Sequence, residues 1–183
     1  IAAELKIGLP ELRRQLEQIR EKLFKVREKR IHPLKDTKVL TDWNGMMIGS
    51  LAYAARVFES TEYLQSAERA ADFILKHLVD RQGRLYHRWM DGEAAIDGKL
   101  EDYAQMIQGL LALYEASFKV KYLEAALSLN SVVIKHFSDK RHGGFFMTPD
   151  FGHKLLVRPK TIYGGAIPSG NAVMVMNLIK LGR

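Results

Sequence analysis

Three short clusters of polar and aromatic residues stand at regular distances in the chain: Asp42-Trp43-Asn44, Glu101-Asp102-Tyr103 and Ser169-Gly170-Asn171. The first two lie in stretches that repeat. Residues 40–58 read LTDWNGMMIGSLAYAARVF, and residues 100–118 read LEDYAQMIQGLLALYEASF. Asp42 is matched by Asp102, Met46 by Met106, Gly49 by Gly109 and Phe58 by Phe118, and Trp43 meets Tyr103 as aromatic for aromatic. Carboxylates and amides bond hydroxyls, and rings stack on apolar sugar faces, so such clusters suit a sugar. Asp42, Trp43, Asn44, Tyr103, Ser169 and Asn171 are candidate ligand groups, and Glu101 and Asp102 a candidate acid and base. The alternative is local: Asp and Ser are ordinary helix N-caps, and carboxylates at a helix start are common. Glycosidase chemistry further requires two carboxyls about 5–9.5 Å apart.

His87 lies between Tyr86 and Arg88 and titrates near neutral pH, which makes it a third candidate acid or base. His77 and His136 close helical patterns, where a histidine favours the negative end of the dipole, so both are read as structural. Arg158 flanks Pro159 and could meet an anionic substrate or simply be solvated. No HxxxH pair falls on a helix, Cys is absent, and no metal or cofactor is expected. The Gly143-Gly144 and Gly164-Gly165 pairs lack the strand-glycine-helix context of a nucleotide loop.

These residues must be held by helices. An internal period of sixty residues marks a repeated supersecondary unit. Apolar residues at spacings of three and four predict helices over 9–29, 42–58, 62–79, 101–118, 122–137 and from Pro168 to the end. Those at 42–58 and 101–118 are apolar nearly all round, the pattern of burial; those at 62–79 and 122–137 carry one stripe, the pattern of a surface helix. Alternation of the two predicts an all-α protein of stacked helical hairpins, an inner layer inside an outer one. Connections 59–61 and 119–121 are short; 80–99 and 138–167 are long and meet the N-terminal ends of the inner helices, where function commonly sits. Within 80–99, LYHRWM, Asp91-Gly92 and EAAI predict a small β-hairpin. Residues 1–38 form a basic helix and connector, and 39–183 a single domain.

The net charge of +7 is concentrated in residues 1–38, which hold 11 Lys/Arg and 6 Asp/Glu. Phe24 is the one Phe, Tyr or Trp there, too few for base stacking, so a solvated helix face is preferred to a nucleic-acid arm. No apolar run is long enough to span a membrane. A cytoplasmic fragment of a longer protein is expected. Its inner helices need neighbours on both flanks, so it should associate with itself.

RIHPLKDTKVLTDWNG, LEDYAQ and GGAIPSGN, in this order, resemble the C-terminal region of the thioredoxin-domain-containing family typified by spermatogenesis-associated protein 20. The resemblance covers about 30–183. It implies roughly half of an (α/α)6 toroid, like those of six-hairpin glycosidases and N-acylglucosamine 2-epimerases, and an N-terminal thioredoxin-like domain elsewhere in the protein as partner. Thr37 departs from the family, which often has a second Asp there. A carbohydrate-processing domain, hydrolase or epimerase, is one expectation; a sugar-binding toroid without catalysis and a scaffold for the thioredoxin-like domain are the others.

Overall fold

The computed structural model describes residues 4–152 and 155–182. The chain divides into two compact units, residues 1–37 and 38–183. The first is built on α1 (Leu9–Arg27), with Pro10 in its first turn and Glu11–Arg14 and Glu21–Lys25 pairs along its surface.

The second unit contains β1 (Val39–Leu40), α2 (Thr41–Val57), α3 (Thr61–His77), β2 (Tyr86–Met90), β3 (Glu93–Asp97), α4 (Leu100–Ser117), α5 (Val120–His136) and α6 (Gly170–Leu181). Three inner helices stand side by side in the order α2, α4, α6, while α3 packs on α2 and α5 on α4. The outer helices show the single stripe their sequences predict: Ala67, Ala71 and Ile74 are buried on α3, and Ala126, Leu129 and Val133 on α5. Leu78, just past α3, is buried as well. Eleven residues of α4 are buried, because it alone has inner neighbours on both sides.

The expectation that the first repeated helix is buried all round fails on one side. Trp43, Met47, Val57 and Phe58 of α2 and its C-terminal end are exposed. So are Val175, Met176 and Ile179 of α6. Both helices end the row, and their outer flanks meet no further inner helix among the described residues.

Glycine sets the distance between α2 and α4. A Cβ on Gly45 would lie 2.6 Å from the carbonyl carbon of Gln105, and one on Gly109 would run into the carbonyl oxygen of Gly45. Backbones this close leave no room for any side chain at the crossing.

The two long connections share an opening. Asp80 and Asp139 each follow an outer helix and accept hydrogen bonds from backbone N–H groups just downstream, those of Gln82 and Arg84 and those of Arg141 and His142. The chain then doubles back to pair Val79 with Leu85, and Ser138 with Phe145. After Leu85 comes the hairpin. Asp91 (φ 51°) and Gly92 (φ 85°) both occupy the left-handed region, the two-residue turn that matches strand twist. Beyond the expected hairpin, β1 pairs antiparallel with β2, Val39 opposite Trp89 and Leu40 opposite Arg88, giving the order β1-β2-β3. The first two residues of the domain, Val39 and Leu40, are therefore an edge strand that leads directly into α2. Among the described residues no helix is long and apolar enough to cross a membrane.

Candidate functional site

The start of α2, the start of α4 and the middle of β2 meet at Asp102. Its carboxylate is 1% exposed and accepts four contacts. Oδ2 takes the Lys99 N–H at 2.8 Å, closing the first turn of α4. Oδ1 takes the Asp42 N–H at 3.2 Å, satisfying a donor at the first turn of α2. His87 Nδ1 lies 2.9 Å from Oδ1 and 3.1 Å from Oδ2. Helix N-termini leave donors unsatisfied, and here one buried carboxylate serves two of them. Asp102 is thus not the N-cap of its own helix but the third residue in, with Lys99 at the cap. Asp42 is likewise not a cap: α2 begins at Thr41 with Leu40 at that position.

Asp42, His87 and Asp102 bring one ligand atom each within 4.8 Å of one another. Two carboxylates and an imidazole could hold a cation. Both oxygens of Asp102, however, already accept from the backbone, and its remaining capacity goes to His87. The group is better suited to sharing protons. Burial and the neighbouring Asp102 charge raise the pKa of Asp42 against its bond from the Trp43 N–H at 2.8 Å, so the neutral acid persists to higher pH. The His87 pKa is raised chiefly by its hydrogen bond to Asp102, with burial opposing, so the imidazolium is favoured. Trp43, next to Asp42 in the chain, is 59% exposed and shares the outer flank of α2 with Met47 and Val57.

Other candidates are engaged elsewhere. Tyr103 is fully buried against Phe137, and its hydroxyl accepts the Leu85 N–H at 2.8 Å. Asn171 Oδ1 accepts the Phe145 N–H at 2.8 Å, and its Nδ2 donates to the carbonyls of Phe145 and Thr161. The same task falls to both: the next inner helix anchors the returning strand of a long loop. Ser169 is the N-cap of α6, accepting from Ala172 N–H and donating to the Ile162 carbonyl. Asn44 Nδ2 donates to the Leu40 carbonyl one turn back. Arg158 donates to the carbonyls of Thr148 and His136 and stacks over Phe146, so it braces the second loop. Glu101 is half-buried and makes no side-chain hydrogen bond or ion pair among the described residues; it lies outside the Asp42–His87–Asp102 group.

His77 packs between Phe73 and Trp89, and His136 pairs with Asp150 at 2.7 Å, in keeping with their structural reading. What sequence alone missed is the joining of His87 to Asp102. The one available signal was an unpaired His in a hairpin following an outer helix.

No family model matches the chain. Spermatogenesis-associated protein 20 of Homo sapiens is 35% identical over 190 residues, 98% of this chain and 24% of that protein. The Rattus norvegicus protein of the same name is 37% identical over 156 residues, 80% of this chain and 20% of that one. The chain therefore spans about a quarter or less of the length of the curated relatives it matches. Among solved structures, the GH76 α-mannanase of Bacteroides thetaiotaomicron superposes with a TM-score of 0.61 at 19% identity, over 80% of this chain and 39% of that one. Cellobiose 2-epimerase of Spirochaeta thermophila does so with a TM-score of 0.57 at 21% identity, over 60% and 28%. At such identities the likeness is one of fold. Sequence and architecture agree: the chain belongs to the spermatogenesis-associated protein 20-like family, and its fold is that of part of an α/α toroid.

Proposed function

We propose that the chain carries the proton-handling half of a carbohydrate-processing site, with Asp42 as general acid and His87 as a charged hydrogen-bond donor oriented by Asp102. The single observation behind this reading is the unequal state of the three groups. Asp42 is pushed toward its neutral form, while Asp102 is buried and fully bonded. A carboxyl with a raised pKa can protonate a departing sugar oxygen. An imidazolium held by a carboxylate can donate through Nε2 to a hydroxyl. Asp102 does not serve as nucleophile, because its lone pairs are occupied. A second acid or base would come from elsewhere in the protein or from water. The proteins of like fold named above, an α-mannanase and a cellobiose 2-epimerase, support carbohydrate as the ligand class.

The test is a screen of monosaccharides and disaccharides for turnover by the full-length protein, followed by Asp42→Asn. Turnover that falls at least about a hundredfold in the variant is expected; turnover that survives the substitution refutes the assignment.

A scaffold without catalysis, presented to a thioredoxin-like domain, is the second reading. It is favoured by the consumption of Asn44, Ser169, Asn171 and Arg158 in bonds to the chain's own backbone. Absence of any sugar turnover or binding by the full-length protein would support it.

A further inference from the structure

A groove of about 620 Å³ runs along the shared face of α2, α4 and α6. Its walls include Met46, Gly49 and Tyr53 from α2, Gln105 and Gln108 from α4, and Lys180 from α6. Met46 and Gln105, at its near end, stand one helical turn past Asp42 and Asp102 on the same two helices.

Gln105 is 2% exposed, and its side chain makes no hydrogen bond to any described residue; its Nε2 is buried without a partner. A buried amide of this kind requires an explanation, because native proteins pair nearly all such groups. A half-turn of the amide presents either its carbonyl or its NH2 toward the groove, so it can accept from or donate to a hydroxyl there. Gln108 adds a second amide on the same helix, three residues on. Tyr53, across the groove, is 68% exposed and supplies a ring for the apolar face of a sugar.

At the far end the charges are spent on one another. Glu115 holds Arg56 at 3.0 Å and Lys180 at 3.3 Å. The lining between the rim and that ion pair network is amide, aromatic and small apolar, which fits an uncharged ligand with hydroxyls. From Met46 to Arg56, α2 rises about 15 Å, longer than one pyranose ring.

We propose that this groove is a second sugar subsite, so that the ligand is a neutral saccharide of at least two units: one at Asp42, the next against Gln105, Gln108 and Tyr53. The inference rests on the carbohydrate reading of the Asp42 site. It adds the length and neutrality of the ligand.

The test is calorimetric titration of the full-length protein with glucose, cellobiose and maltose. One disaccharide should bind at least about tenfold tighter than glucose. Tyr53→Ala and Gln108→Ala, neither of which opens a buried cavity, should remove that advantage and leave glucose binding unchanged. Gln105→Leu should do the same, with thermal melts checking that it folds. If glucose and both disaccharides bind equally, or no disaccharide binds, the subsite is rejected. It is also rejected if the three variants lower the melting temperature while the disaccharide-to-glucose ratio stays fixed, since the groove is then packed by another part of the protein. Asp42→Asn separates the two readings: if that variant keeps both turnover and the disaccharide preference, the assignment of Asp42 fails and the subsite stands.

Discussion

Asp102 Oδ1 and His87 Nδ1 lie 2.9 Å apart, joining the first turn of an inner helix to a hairpin fifteen residues earlier in the chain. The pair is asymmetric. Asp102 is sealed among backbone donors, while the His87 side chain retains 24% exposure. Asp102 therefore contributes mainly by positioning, and the second ring nitrogen of the partly exposed His87 has no hydrogen-bond partner among the described residues.

Asp102→Ala should destabilise the protein by about 2–4 kcal/mol. The substitution strips two helix-terminal N–H groups of their acceptor and leaves His87 without its partner, each a cost of the order of a lost buried hydrogen bond. Urea denaturation of the variant measures this. A loss under about 1 kcal/mol would mean that water takes over as acceptor.

The contributions of Asp42 and His87 to stability should each fall as pH rises, opposite in sign to that of Asp139, whose carboxyl Lys160 holds well below the usual range. Asp42 and His87 both have folded-state pKa values raised above their ordinary ones, Asp42 by burial first and the Asp102 charge second, His87 by its bond to Asp102. A raised value means that the native state holds its proton more tightly than the unfolded chain. The associated stabilisation is complete below the unfolded value and is lost as pH passes the folded one. The lower step begins at the ordinary aspartate value and the upper at the ordinary histidine value, and each ends above it. In His87→Gln the upper step should vanish and the lower remain. Denaturation midpoints across the pH range decide, and an upper step that persists in His87→Gln removes this histidine as its source.

Gly45→Ala should cost about 1–3 kcal/mol, as overpacking does. Its new methyl would meet the backbone of Gln105, which cannot rotate away as a side chain could. Gly165, with no atom near its virtual Cβ, is the control: Gly165→Ala should be close to neutral. Equal effects at the two positions would show that the α2–α4 crossing yields easily.

The isolated 183-residue chain should self-associate. Trp43, Met47 and Val57 on α2 and Val175, Met176 and Ile179 on α6 expose apolar flanks at both ends of the inner row, the kind of surface that invites a partner. Sedimentation at rising concentration should show dimers or larger species, weakened by Met47→Lys or Val175→Lys. A single monomeric species throughout, binding no apolar dye, contradicts this.

The helices, their order and the division into inner and outer layers were legible in the chain itself, because each depends on local periodicity. Ala67, Ala71 and Ile74 fall on one stripe whatever they pack against, and Asp91-Gly92 adopts its turn through two residues that tolerate positive φ. The sixty-residue repeat likewise announced that two inner helices are equivalent. Equivalence of sequence did not carry equivalence of environment. Trp43 and Tyr103 occupy matching places, yet one is exposed and the other fully buried, because α4 stands between two inner helices and α2 at the end of a row. Ser169 caps α6 as its type suggests, a local act. Asp102 does something that no local rule contains: it caps a neighbouring helix and holds a histidine from a strand. Asn171 and Tyr103 turned inward to anchor loop N–H groups that only the returning chain brings to them. Periodicity records which face of a helix is apolar; which polar groups meet depends on contacts between residues far apart in the chain, and those exist only once the layers have closed.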